Sequence, residues 1–280
     1  MTTSGTRSPS DALAFIGGGN MARSLVGALV ADGMPPASIR VAEPVAPLRE
    51  ALHRDFGVTV FDDNEVAIAG AGTWLFATKP QVLREICHAL APSAQASRPL
   101  IVSIAAGVTT AQIAHWLGSA VPIVRAMPNM AALLGAGVTG LYANARVDRA
   151  GCRRAERLLS SSGDVVWLSD ETRMDAVTAV SGSGPAYVFL LAEAMFDAAQ
   201  AQGLSDETAH VLVRQTILGA ARMLSEDAAP AGHLRQRVTS PGGTTQAAVD
   251  VLESGGFRAL VERAIDAATV RGRELAAANG

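Results

Sequence analysis

Up to about residue 168 the chain alternates short β-type runs with stretches of helical periodicity, and that alternation leaves few folds open to it. The runs lie at 12–16, 39–42, 58–61, 73–77, 100–104, 121–125, 138–142 and 165–168. Between most of them apolar residues recur at 3.6-residue spacing, as in Met21, Leu25, Ala28 and Leu29, or Leu83, Ile86 and Leu90. Strands separated by helices return to the sheet by crossovers, which predicts a mainly parallel sheet with helices on both faces. After Ser169 the pattern changes. From Met174 onward there is no strand signal, only long helical stretches broken at Gly203, at Ala229-Pro230 and at Pro241-Gly242-Gly243. The expected organisation is therefore a flexible polar tail at 1–10, an α/β domain at 11–168 and an all-helical domain at 169–280. No internal repeat or low-complexity segment interrupts it.

Composition narrows the function classes. The chain has 280 residues, 49% of them hydrophobic, yet only 4% aromatic and 18% charged, below the ~25% of an ordinary soluble domain. A net charge of −3 supplies no clustered basic surface for nucleic acid or anionic lipid. No run approaches the ~20 uninterrupted apolar residues of a membrane helix, and the head of the chain carries no signal-like apolar segment. Cys87 and Cys152 show no metal-ligand or CxxC spacing and read as small buried hydrophobes of a reducing compartment. These readings point to a cytoplasmic protein with neither a nucleic-acid nor a membrane partner, and with no metal.

Directly after the first run, Gly17, Gly19 and Ala22 fall in the G-x-G-x-x-G/A register and open an amphipathic stretch. The first glycine permits a tight turn, the second lets a pyrophosphate approach the backbone, and Ala22 keeps helix and strand close. The competing reading is a glycine turn kept for packing alone. Glu43 ends the second run, where a carboxylate accepts from an adenosine 2′-hydroxyl and so favours NADH. Arg40 and Arg49 flank it as alternative holders of a 2′-phosphate, and a solvent-facing role for Glu43 is the third reading. Cofactor preference stays open at this point.

Lys79, the only lysine of the chain, ends the fourth run in Ala77-Thr78-Lys79-Pro80. Ligands of open α/β sheets bind at those carboxyl ends, so its cation is a candidate for cofactor ribose or phosphate, or else a loop-positioning residue. Its solitude also argues against alcohol oxidation by a lysine base from the helical half. His53, His88, His115, His210 and His233 all fall in helical or helix-flanking segments and read as surface or packing residues. In the helical half, Ser240-Pro241-Gly242-Gly243-Thr244-Thr245 breaks one helix and starts the next. Its free N–H groups and hydroxyls form either a neutral cradle for a small carboxylate or a simple threonine-capped break. Ser181-Gly182-Ser183-Gly184-Pro185-Ala186 precedes a long apolar helix from about 187 to 202, and its glycines either permit close helix packing, the preferred reading, or open a gap for substrate.

In these signatures the chain resembles the pyrroline-5-carboxylate reductases from its first strand to its C-terminus. The resemblance is carried by Phe15 to Ala22, Lys79-Pro80-Gln81, Ala105-Ala106-Gly107-Val108, Arg125-Ala126-Met127-Pro128-Asn129, Asp175 to Ala179 with Ser181 to Tyr187, Val238 to Thr245, and Leu252 to Arg258. It implies a Rossmann-like dinucleotide-binding domain followed by an all-helical dimerisation domain. The implied reaction is reduction of the cyclic imine 1-pyrroline-5-carboxylate to L-proline, the last step of proline synthesis, with NADPH as the family default and NADH the alternative.

Carried over by position, Gly17, Gly19, Asn20, Met21 and Ala22 hold the pyrophosphate. Asn64 reaches the adenosine end, Ala77, Thr78, Lys79 and Pro80 the middle of the cofactor, and Ile104, Ala105 and Ala106 the nicotinamide side. Ser240, Gly242, Gly243, Thr244 and Thr245 hold the substrate carboxylate, and Thr245 is the hydroxyl partner of the ring nitrogen. Where the family continues Met-Pro-Asn with Thr-Pro, this chain has Met130-Ala131, so the loop beside the nicotinamide is expected to differ in shape. The competing functions are another imine or 3-hydroxy-acid oxidoreductase on the same architecture and a non-catalytic dinucleotide-binding regulator. Small aliphatic residues of the helical half, among them Leu190, Leu191, Val211, Leu212 and Leu218, exceed what one thin layer of helices can bury. With the resemblance, this implies an obligate homodimer, often assembled into a larger ring.

Overall fold

The computed structural model describes residues 12–118 and 121–278; the expected tail at 1–10 lies outside the described residues. Packing divides the chain into two units, Met1–Gly182 with Ala268–Gly280, and Ser183–Ala267. The last strand ends at Trp167, whereas the first packing unit runs on to Gly182.

In the first unit all eight β-type runs form strands, with ends within two residues of those read from the sequence. They are β1 (Leu13–Ile16), β2 (Ile39–Ala42), β3 (Thr59–Phe61), β4 (Thr73–Phe76), β5 (Leu100–Ser103), β6 (Ile123–Met127), β7 (Gly137–Ala143) and β8 (Gly163–Trp167). Helices α1 (Asn20–Ala31), α2 (Ala46–Phe56), α3 (Asn64–Ile68), α4 (Pro80–Ser97), α5 (Thr110–Trp116), α6 (Arg149–Ser160) and α7 (Met174–Val177) connect and follow them. The sheet order is β3-β2-β1-β4-β5-β6-β7-β8. All neighbours are parallel except β6 and β7. Residues 128–136, which join that pair, are shorter than the roughly ten to twelve residues a parallel crossover requires. The chain turns back there through the 3₁₀ segment Met130–Leu134 instead.

Strand alternation sends successive side chains to two cores. Leu13, Phe15, Val41, Leu75 and Val102 pack with Leu25, Val26 and Leu29 of α1 and Leu158 and Leu159 of α6. Ala14, Ile16, Trp74, Phe76 and Ile101 pack on the opposite face with Leu83, Cys87 and Leu90 of α4 and Ile113 and Trp116 of α5. Burial on both faces is the reason the central strands β1, β4 and β5 read as apolar runs rather than as alternating ones. Desolvation in this second core pushes the Cys87 thiol up to about 12, so it is held as an inert thiol; Cys152 is half-buried and also free.

The second unit carries α8 (Gly184–Ala201), α9 (Asp206–Glu226), α10 (Ala231–Arg237), α11 (Thr244–Ser254) and the first half of α12 (Phe257–Ala278). Helix α8 starts three residues before the stretch read from the sequence, because Pro185 fits a helix's first turn, where its missing N–H costs nothing. Besides the breaks expected from glycine and proline, another separates α11 from α12 at Gly255-Gly256, where Gly256 is left-handed at φ +76°. Little of this unit is buried in the single chain. Helix α8 buries none of its residues, and Ala209, Val213 and Leu234 are the buried residues of α9 and α10. Phe189, Leu190, Val211, Leu212, Val251 and Leu260 are all exposed.

The sequence predicts no uninterrupted apolar segment of membrane length, and Glu171–Ala201 is helical apart from a bend at Ser183. By length and composition this is the one stretch among the described residues apolar enough to cross a membrane, with a mean hydropathy of 1.2 over its most apolar 18 residues, 6% of which are buried. It escapes a search for uninterrupted apolar residues because Asp175 and small polar residues punctuate it.

Candidate active site

Strand order reverses between β1 and β4, and the carboxyl ends of β3, β2, β1, β4 and β5 stand side by side. Every cofactor residue expected from the sequence falls along this edge. Asn64 opens α3 after β3, Glu43 follows β2, Gly17 to Ala22 follow β1, Ala77 to Pro80 follow β4, and Ile104 to Ala106 follow β5. A switch point of this kind is where open α/β sheets leave a crevice for ligands.

The glycine turn is shaped by its neighbours. Gly17 has φ +100°, its N–H donates to the Ala42 carbonyl at 2.9 Å, and a Cβ there would sit 2.7 Å from the Ala77 carbonyl oxygen. Only glycine fits between β1 and the segment after β4. Gly19 is the opposite case. It caps α1 with no side chain acting as a cap, and a Cβ there would meet nothing within 4 Å. The first-turn N–H groups of α1 therefore receive no side-chain cap from Gly19 at the positive end of the helix.

Beside the turn, the Thr78 hydroxyl oxygen is buried and is the one such side-chain atom without a hydrogen-bond partner among the described residues. Its methyl lies 3.1 Å from where a Gly17 Cβ would be. A buried polar atom left unpaired is costly, so an orphan hydroxyl in a glycine-lined crevice fits a polar ligand such as a dinucleotide. Lys79 is exposed and caps α4, with Pro80 in that helix's first turn.

On the far side of the edge, Ile104 is half-buried, Ala105 buried and Ala106 exposed. The loop they start runs into α5, whose N-terminus is tied down twice. Thr109 and Gln112 form a capping box, and the Thr110 N–H and hydroxyl both donate to the Glu171 carboxylate at 2.8 Å. Glu171 in turn meets Arg125 Nη1 at 3.3 Å, and Asp175 meets Nη2 at 3.8 Å. The Arg125 side chain is only 6% exposed, so its charge needs both carboxylates. Sequence reading placed Arg125 and Asp175 in motifs without seeing this network, whose members stand 46 and 61 residues apart. Asn129 also ties two segments together, with its side-chain amide donating to the Ser181 carbonyl and its oxygen accepting from the Val138 N–H.

In the second unit, Ser240, Gly242, Gly243, Thr244 and Thr245 form one continuous turn. Gly242 is left-handed at φ +70°, the Gly243 N–H donates to the Ser240 carbonyl at 3.0 Å, and α11 begins at Thr244 with Gly243 as a cap without a side chain. Ser240, Thr244 and Thr245 are exposed in the single chain. The turn carries no charged side chain, so backbone N–H groups and hydroxyls are what it offers an anion. All five histidines lie inside helices, in α2, α4, α5, α9 and α10.

A switch-point crevice with a glycine turn, followed by a separate helical unit, defines a two-part dinucleotide-dependent oxidoreductase. Comparison with known proteins narrows the class. Residues 171–275 match the family model for pyrroline-5-carboxylate reductase dimerisation. Residues 12–107 match the model described as NADP oxidoreductase coenzyme F420-dependent. A pyrroline-5-carboxylate reductase of Pseudomonas aeruginosa is 52% identical over 265 residues, covering 94% of this chain and 96% of the relative. The solved structure of a Coxiella burnetii pyrroline-5-carboxylate reductase superposes with a TM-score of 0.92 at 43% identity, covering 96% of this chain and 99% of that one. A Plasmodium falciparum pyrroline carboxylate reductase solved with NADP bound has a TM-score of 0.82 at 27% identity, covering 95% and 98%. The chain belongs to the pyrroline-5-carboxylate reductase family.

Proposed function

We propose that this protein reduces 1-pyrroline-5-carboxylate to L-proline with NADPH, and with NADH as the alternative donor. The observation that carries the reading is the turn from Ser240 to Thr245. It is a helix start with uncapped N–H groups and three hydroxyls in a helical half that contains no lysine. Such a cradle holds a carboxylate without supplying a base, which suits a substrate that arrives as a protonated imine and not one that must lose an alcohol proton.

When bound, the reduced nicotinamide supplies a hydride to the imine carbon. Gly17 to Ala22 hold its pyrophosphate on the N-terminus of α1, with Asn64 toward the adenosine. The Thr78 hydroxyl, Ala77, Lys79 and Pro80 line the middle, and Ile104 to Ala106 flank the nicotinamide. The anchored start of α5 keeps that flank in place. Ser240, Gly242, Gly243 and Thr244 fix the carboxylate, while the Thr245 hydroxyl bonds the ring nitrogen, which carries the proton that makes the carbon electrophilic. Fixing the reacting groups in this way converts an encounter in solution into an oriented step. Supplying the pyrroline beside other cyclic imines and 3-hydroxy acids, with NADPH and NADH in separate reactions, distinguishes this function from its competitors. Cofactor oxidation is expected with the pyrroline, and oxidation confined to a hydroxy acid would sink the proposal.

The active form is a homodimer, built into a larger ring, in the cytoplasm. Support comes from α8, whose apolar residues Phe189, Leu190 and Leu191 find no cover in the single chain, and from the dimerisation model that spans it. Light scattering at assay concentration should give at least twice the chain mass of 28.8 kDa, and an active monomer would contradict the assembly.

A further inference from the structure

The edge of the sheet opposite the cofactor crevice gathers arginines. Because β7 runs antiparallel to β6, its carboxyl end lies beside the amino ends of β4, β5 and β6, and the chain leaving it carries Arg146 and α6 onto that edge. Asn144 fixes this exit, its side-chain oxygen accepting the Ile123 and Arg146 N–H groups at 3.2 Å each and its amide donating to the Val121 carbonyl at 3.1 Å. A cavity of about 430 Å³ opens there, beside Leu100 at the start of β5 and Pro122 before β6. Arg98, Arg146, Arg153, Arg154 and Arg157 line it, with Asp148 as the one carboxylate among its described lining residues.

Asp148 is committed to the start of α6, where it accepts the Gly151 N–H at 2.7 Å, and Arg154 Nη1 donates to the Thr73 hydroxyl at 3.3 Å. The other four arginines make no ion pair among the described residues. A guanidinium cannot shed its proton to relieve repulsion, so like charges gathered round one space favour an anion among them. Arg98 adds a backbone cost at the same place. It ends α4 at φ +47°, the one non-glycine residue with positive φ among the described residues. Helix α2 closes in the same conformation with Gly57, at φ +69°. Glycine adopts this region freely and arginine does not, so the turn alone gives no reason for an arginine at the end of α4.

We propose that this cavity binds the triphosphate group of a small phosphorylated metabolite. The site goes beyond the reductase reading, since it lies at the other end of the strands, about 13 Å from the dinucleotide edge at roughly 3.3 Å per residue of β4. Planar guanidinium forks take phosphate oxygens two at a time. A lone phosphate carries at most about two charges, so linked phosphates match four unpaired cations better. A nucleic-acid backbone needs a stripe of cations rather than one pit. Four of the five arginines fall within residues 146–157, so a net charge of −3 over the whole chain does not reveal them.

The test is isothermal titration of sodium triphosphate and of ATP into the full-length protein, with NADPH in excess so that the dinucleotide crevice does not compete. Both should bind with a Kd of about 100 μM or below and within about threefold of each other, because the phosphates are what the site reads. Replacing two cations together, Arg153→Gln with Arg157→Gln, should weaken both by about tenfold or more. Arg98→Gly separates a ligand role from a structural one. Affinity should fall by at least about threefold while the melting temperature stays level or rises, since glycine relieves the turn. No binding of triphosphate at about 1 mM, binding of ATP alone, or affinities that the arginine variants leave unchanged would each overturn the proposal. So would a single-stranded oligonucleotide that binds more tightly than triphosphate.

Discussion

Gly17→Val is expected to lower NADPH affinity by a factor of about a hundred or more, on the scale of roughly 1.4 kcal/mol per tenfold. The wild-type backbone at this position stands at φ +100°, which a β-branched residue adopts only at a cost of about 1–3 kcal/mol. Strain is the smaller part of the effect. A Cβ would lie 2.7 Å from the Ala77 oxygen and 2.9 Å from its carbonyl carbon, both backbone atoms that cannot swing aside. The turn must therefore move away from β4, carrying with it the N–H groups that receive the pyrophosphate. Titration of NADPH, with the melting temperature followed in parallel, checks this, and affinity within tenfold of the parent would show that the turn is not the phosphate site. Gly19→Ala is the companion. Its Cβ meets nothing, so the melting temperature should be unchanged and any loss of affinity reports the space a phosphate needs.

Thr245→Ala should reduce kcat/KM for the pyrroline substrate by at least about tenfold, roughly 1.4 kcal/mol of transition-state stabilisation, while leaving the fold intact. Thr245 is the second residue of α11 and is exposed in the single chain, and its hydroxyl makes no hydrogen bond among the described residues. Deleting a methyl and a hydroxyl there removes little that holds the helix together, so a stability change beyond about 0.5 kcal/mol is not expected. Thr245→Ser keeps the oxygen and should recover most of the rate. Steady-state kinetics on the three proteins decide the matter. If the alanine variant keeps rates within about twofold of the parent, Thr245 has no part in the chemistry.

The sheet was legible because its central strands are buried on both faces and therefore read as apolar runs punctuated by glycine and polar turns. Phe15 and Ile16 face opposite cores, yet both had to be apolar. The glycine turn was legible for a related reason, since Gly17 is fixed by local geometry that appears as a motif. What stayed hidden depends on distance along the chain. The Arg125, Glu171 and Thr110 network joins segments that no periodicity connects. The hydrogen bond from the Gly18 N–H to the Glu43 carboxylate joins residues 25 apart, so sequence alone does not show that Glu43 also braces the glycine turn. Periodicity also does not show that helix α8 buries none of its residues in the single chain.

The most direct measurement is of NADPH consumed against L-proline formed when purified protein meets 1-pyrroline-5-carboxylate. The prediction is one L-proline for each NADPH oxidised, with no oxidation when 3-hydroxy acids replace the imine. A protein that binds NADPH yet leaves it unoxidised in the presence of the pyrroline would not be a pyrroline-5-carboxylate reductase in function.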